Sequence, residues 1–206
     1  MATKSKPNGQ MEVILAAAAR TFFKKSYHAT TIEDIAKAVG MLKGSLYYYI
    51  RSKEDLLYQL LSESMEKALV FVQQRIDAAS GPEDKLRRGI EAHIEYIVRN
   101  QVEVGVFLHE YDQLSPRRKA AIQRMRRKYQ NLFVQIVREG QQLGRIVPGD
   151  PELLCDCFLG SCNWIYRWYT PGHSPSVEVV KNTFVSCILH GILKVEGKGN
   201  ESIGPS

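Results

Sequence analysis

Between Thr31 and Lys53 the chain carries Lys43, Ser45, Tyr47 and Tyr48 at positions off the apolar face set by Leu46 and Ile50. Hydroxyls and an ammonium presented from one short helix suit base edges in a major groove and the phosphates beside them. Thr31 and Lys53 bracket the unit, where such groups clamp phosphate. A second run, Asn163-Trp164-Ile165-Tyr166-Arg167-Trp168-Tyr169, puts Trp164 and Trp168 one helical turn apart, with Arg167 between turns. Flat rings and a guanidinium can hold a planar or anionic ligand, and they can equally fill a core or an interface. A third set, Arg117-Arg118-Lys119 with Arg124, Arg126, Arg127 and Lys128, reads first as a solvated helix face.

Catalytic signatures are missing. The chain has no GxSxG, P-loop, GxGxxG or HExxH, and its five histidines lack metal-ligand spacing. No enzyme, metal or cofactor is expected. His93 lies on a mostly apolar helix and reads as a core or pocket residue. The four cysteines (Cys155, Cys157, Cys162 and Cys187) form no CxxC and are expected to be buried and reduced.

The elements that position these residues are helical nearly throughout, because apolar residues recur at helical spacing and alternate nowhere convincingly. Met11, Ile14, Leu15, Ala18 and Phe22 define a first helix over about residues 10–26. Thr31 caps a second helix, which Gly40 ends, and residues 43–50 form a short third helix. Ser52 opens a long fourth helix that bridges two parts of the chain, with Asp55 at the third position of a weak capping box. Ser115-Pro116 and Asp150-Pro151 launch two later helices, each a cap followed by proline in the first turn. The last helix covers about residues 176–194. The reading is all-α, about nine helices: a flexible arm at 1–9, a helix-turn-helix domain at 10–52, an effector-binding and dimerisation domain at 53–196, and a disordered tail at 197–206.

Charge divides at the same place. Residues 1–53 hold 9 Lys/Arg and 3 Asp/Glu, whereas the remainder holds 19 of each. The whole net charge of +6 therefore sits in the first quarter of the chain, which points to a polyanion partner for that part. No apolar run approaches the ~20 residues of a membrane span. The polar start lacks the apolar core of a signal peptide, so a cytoplasmic protein is expected.

The N-terminal quarter resembles the tetracycline-repressor (TetR) family. The resemblance runs through Phe22-Phe23, Tyr27 to Ile32, Ile35-Ala36, Val39-Gly40, and Lys43 to Ile50 before Ser52-Lys53-Glu54. It implies a palindromic double-stranded operator read by the third helix. It also implies that Thr31, Gly44, Tyr47, Tyr49 and Lys53 join Lys43, Ser45 and Tyr48 at the DNA. Leu42 stands where the family usually has a capping Ser or Thr, so apolar packing is expected to anchor the reading helix instead. Tyr49 stands where the family often has His.

The resemblance further implies a homodimer built from the last two helices of each chain. Val177, Val180, Phe184 and Ile188 are the expected interface, with internal core as the alternative. Met41-Leu42-Lys43 and the Asn163–Tyr169 run look like a subgroup that senses coenzyme A thioesters in fatty-acid, sterol-ring or aromatic-acid breakdown. For such an effector Ile94, Val98, Phe107 and Phe158 would line an apolar tunnel, and Trp164 or Trp168 would stack on adenine. Arg167, Arg124 or Arg127 would meet phosphate or carbonyl groups. The competing reading is a DNA-binding regulator controlled by a partner protein or by no ligand. An internal cavity would favour the sensor.

Overall fold

The structure, a computed structural model, describes residues 7–193. The first six residues of the expected arm and the 197–206 tail lie outside them. Helix α1 (Pro7–Lys25) starts earlier than its apolar stripe and buries Ile14, Leu15, Ala18 and Phe22. Helix α2 (Ile32–Ala38) begins with a complete capping box: the Thr31 hydroxyl accepts from the Asp34 amide, and the Asp34 carboxylate accepts from the Thr31 amide. Gly40 then takes φ +68°, the left-handed turn that lets α3 (Lys43–Leu46) cross α2. Only one turn of α3 is regular helix. Residues 47–50 continue it through amide bonds from Tyr49 and Ile50 to the Leu46 carbonyl.

Helix α4 (Lys53–Asp77) starts at Ser52, whose hydroxyl accepts from the Asp55 amide. The return bond of a full box is absent, since the Asp55 carboxylate takes the Arg51 amide instead. The body continues with α5 (Gly81–Arg99), α6 (Gln101–Glu110), a 3₁₀ turn (Tyr111–Gln113) and α7 (Pro116–Gln142). It closes with α8 (Pro151–Asn163), α9 (Ile165–Trp168) and α10 (Val177–Ile192). The expected all-helical pattern is present, with the helix launched by Asp150-Pro151 divided at Trp164 into α8 and α9. Among the described residues the sole β-type pairing is an isolated bridge between Ile146 and Leu193.

Two apolar clusters hold the chain together. The first joins α1–α3 to the N-terminal half of α4, and it also takes in Val106, Leu114 and Ile122 from the body. The second packs the rest of α4 with α5, α7, α8, α9 and α10. Of the cysteines, Cys155 and Cys162 are buried, and burial pushes both thiols up to about 12. Cys157 and Cys187 are exposed, contrary to the expectation of burial, because they sit on the outer sides of α8 and α10.

Candidate functional site

Leu46 and Ile50 are sunk into the first cluster, so the rest of the α3 region projects from it. Lys43, Gly44, Ser45, Tyr47 and Tyr48 are exposed, Tyr48 by 88%, while Tyr49 is half-buried and edge-on to Tyr48. Leu42 is 79% exposed and caps nothing, so it does not anchor the helix by packing. Met41, half-buried against the first cluster, has that position.

Lys43 Nζ lies 2.6 Å from Glu33, whose carboxyl this bond holds below its usual range. An exposed pair of this kind contributes little, so Lys43 can exchange it for DNA. Thr31 and Lys53 have structural occupations as well. The Thr31 hydroxyl caps α2, and Lys53 Nζ donates to the carbonyls of Tyr27 and Thr30, both at 2.8 Å, above the Tyr27 ring. The outcome is a protruding, cation-bearing ridge with hydroxyls on its outer face, the shape and chemistry of a major-groove reader.

The body encloses a cavity of about 230 Å³ among α4, α5, α6, α7 and α8. Its apolar wall includes Met65, Ala68, Ile97, Val104, Phe107 and Leu159. Polar groups interrupt that wall. The Tyr96 hydroxyl donates to the Ser64 carbonyl at 2.8 Å, and His93 Nδ1 lies 2.7 Å from the Tyr129 hydroxyl. His93 is only 6% exposed, and its Nε2 has no hydrogen-bond partner. Burial pushes the imidazole down to about 4, against the weaker upward pull of the Leu159 carbonyl and the Asn163 side chain. Burial also raises both tyrosines. At neutral pH this inner wall is therefore polar and uncharged. Charge appears at the rim, where exposed Arg126 lies over the rings of Phe107 and Tyr111 and exposed Asp156 accepts from Gln130 at 2.7 Å.

Of the expected effector residues, Phe107 lines this cavity. Trp164, Arg167, Trp168, Arg124 and Arg127 do not, and neither do Ile94, Val98 and Phe158. The helical period supplies the reason. Arg126, Tyr129 and Gln130 share one face of α7, whereas Arg124 and Arg127 project to solvent. Ile165, Tyr166 and Tyr169 turn inward, so Trp164, Arg167 and Trp168 are left outside, Trp164 62% exposed. The sequence does not single out Tyr96 and Tyr129, and it places Arg126 only in a solvated helix face. Their one signal was polar residues at helical spacing on otherwise apolar faces.

The expected dimer stripe packs in part on the subunit's own core. Val180 is buried, and Val177, Phe184 and Ile188 are half-buried against the second cluster. The outer side of α10 carries Val179, Thr183, Ser186 and Cys187, and that of α8 carries Leu153, Cys157 and Ser161.

Helix α6 lies between the cavity and α1 of the reading head. Val104, Phe107 and Leu108 border the cavity. Between them Gly105 lies against the Phe23 ring of α1 so closely that a Cβ there would collide with it. At the end of α6, buried Glu110 accepts the Tyr27 amide at 3.1 Å.

Comparison with known proteins places this geometry in a wider group. Residues 14–60 match the family described as bacterial regulatory proteins, tetR family, and residues 79–192 match the tetracyclin repressor-like C-terminal domain. The transcriptional repressor KstR2 of Mycolicibacterium smegmatis is 31% identical over 197 residues, covering 95% of this chain and 96% of that protein. The structure of the ketosteroid transcriptional regulator KstR2 of Mycobacterium tuberculosis superposes with a TM-score of 0.82 at 26% identity, over 94% of this chain and 98% of that one. The structure of AibR in complex with isovaleryl coenzyme A and operator DNA superposes with a TM-score of 0.80 at 30% identity, over 86% and 96%.

Proposed function

The chain belongs to the TetR family of DNA-binding transcription regulators, and from that premise we propose that it is a dimeric repressor released from a palindromic operator by a coenzyme A thioester. It acts by binding rather than by catalysis, on DNA in the cytoplasm. Lys43, Gly44, Ser45, Tyr47 and Tyr48 meet the groove, while Thr31, Tyr49 and Lys53 support the reading helix and touch phosphate at its margins. Among the described residues no helix is long and apolar enough to cross a membrane.

One observation carries the sensor reading: α6 forms a wall of the cavity on one side and a contact with α1 on the other. A ligand that favours a different position of α6 acts on α1 through Gly105 and Glu110. It thereby changes the spacing of the two reading heads and lowers operator affinity. The cavity also argues against the regulator without a ligand.

The chemistry of the effector follows from size and rim. A cavity of about 150 Å³ already holds benzene, so this one accepts an acyl group of ring size but not the nucleotide part of coenzyme A. That part lies outside, with Arg126 at the rim offering a guanidinium to phosphate or carbonyl oxygens. Arg167, exposed four residues after the lining residue Asn163, is the second candidate cation. The structure of AibR in complex with isovaleryl coenzyme A supports a thioester as the class of effector. The outer faces of α8 and α10, with Trp164 beside them, meet the second copy.

The test uses DNA fragments that the purified protein selects from a random pool. Short-chain and cyclic acyl thioesters are expected to release them in gel shifts where the corresponding free acids do not. Release by free acids alone would overturn the thioester reading.

A further inference from the structure

Three buried side-chain atoms among the described residues lack a hydrogen-bond partner: Ser62 Oγ, one Arg118 nitrogen and His93 Nε2. Of the three residues, only His93 borders the cavity. Its Nδ1 is engaged by the Tyr129 hydroxyl, and the edge of the Phe133 ring flanks the imidazole with centroids 6.4 Å apart. The ring is thus held in place with one nitrogen that has no hydrogen-bond partner on a mostly apolar wall, the Leu159 carbonyl and the Asn163 side chain being near enough to pull weakly on the imidazole but outside hydrogen-bond geometry. An unpaired buried polar atom is costly, and native proteins rarely leave one without a reason.

We infer that His93 Nε2 is the anchor for an oxygen on the acyl group of the effector, so that the cavity prefers a keto- or hydroxy-bearing acyl thioester over the plain hydrocarbon of the same shape. The inference rests on the thioester reading of the cavity and narrows it. Either tautomer fits a hydroxyl. With the proton on Nε2, which requires Tyr129 to donate to Nδ1, the ring also donates to a ketone oxygen. A carboxylate is a poor occupant, because the imidazole is neutral and the nearest lining guanidinium, Arg126, is out at the rim. A saturated hydrocarbon fills the space but leaves Nε2 dry and unpaired. Tyr129 acts here as a positioning residue.

The experiment is calorimetric titration of the purified protein with cyclohexanecarbonyl-coenzyme A and its 3- and 4-oxo and -hydroxy derivatives. At least one oxygenated thioester is expected to bind about tenfold or more tighter than the parent, the discrimination that follows from leaving one buried group unpaired. His93→Phe is expected to bring the series to near-equal affinity. His93→Gln should retain part of the preference, and Tyr129→Phe should weaken it by releasing the ring. Thermal melting and operator binding show whether each variant is folded. Equal affinity across the series in the unaltered protein overturns this inference and leaves the thioester reading standing. So does a preference that persists in folded His93→Phe. If none of the thioesters binds while operator binding is intact, the thioester reading fails and this inference fails with it.

Discussion

The reading head and the body are both small helical assemblies around an apolar cluster, but they keep their chemistry on opposite sides of that cluster. In the head the core is closed. Leu46 and Ile50 are buried, and the groups proposed to meet DNA are what the core leaves outside, with Tyr47 47% exposed and Tyr48 more so. In the body the chemistry is inside. His93, Tyr96 and Tyr129 occupy core positions, and a void replaces the side chain that would otherwise face them. Substitution therefore has different consequences in the two regions. Outer residues of the head can change with little effect on folding, whereas the body's cavity residues belong both to the core and to the proposed ligand site.

The sharpest test of inside against outside lies on α10. Val180→Glu would place an uncompensated charge in the second cluster, at a cost of several kcal/mol, so circular dichroism is expected to show loss of the folded body. Val179→Glu, next to it on the outer side, is expected to leave helicity intact and yield monomers with weakened operator binding. Sedimentation of a folded Val179→Glu dimer would place the interface elsewhere.

The next test is confined to the cavity. With a folded value of about 4 against an ordinary 6.5, His93 contributes nothing to pH dependence well above 6.5, where it is neutral in both states. As pH falls below that, the unfolded chain takes up a proton that the folded chain refuses, so stability is lost until about pH 4. By about pH 5 the loss amounts to about 2 kcal/mol. Denaturant melts are expected to show it in the unaltered protein and not in His93→Phe. Equal pH dependence in both would mean that His93 is not desolvated.

In the head, Lys53→Ala removes two bonds to carbonyls and a cation over the Tyr27 ring, an expected loss of about 1–2 kcal/mol. If Lys53 also reaches phosphate, the slope of operator affinity against salt falls by about one unit. Lower stability with an unchanged slope would assign Lys53 to the scaffold alone. The smallest effect is expected from Leu42→Ser. Restoring a side-chain cap to α3 should gain about 1 kcal/mol, read as a higher melting temperature.

Local chemistry determined much of this protein without tertiary information. Helical spacing marked the inward face of α1, and Gly40 marked the turn between α2 and α3. Asp150-Pro151 marked the start of α8, where the Asp150 carboxylate accepts from the Glu152 and Leu153 amides. The concentration of net charge before residue 54 pointed to the reading end, and once Leu46 and Ile50 were assigned inward, Tyr47 and Tyr48 could only face out. Those features depend on residues within one or two helical turns of each other.

Only the tertiary structure decided that His93 borders a cavity, that Arg126 and not Arg124 or Arg127 stands at its rim, and that Val180 faces the subunit's own core. Periodicity fixes which residues share a face, but what lies opposite that face depends on segments distant in the chain. The cavity takes walls from five helices between Ser64 and Asn163, and a missing side chain among them leaves no mark on the pattern of any one. The same limit explains Trp164 and Trp168. Their spacing put them together on one side of the helix, but Ile165, Tyr166 and Tyr169 packing against the body decided that this side is the outer one.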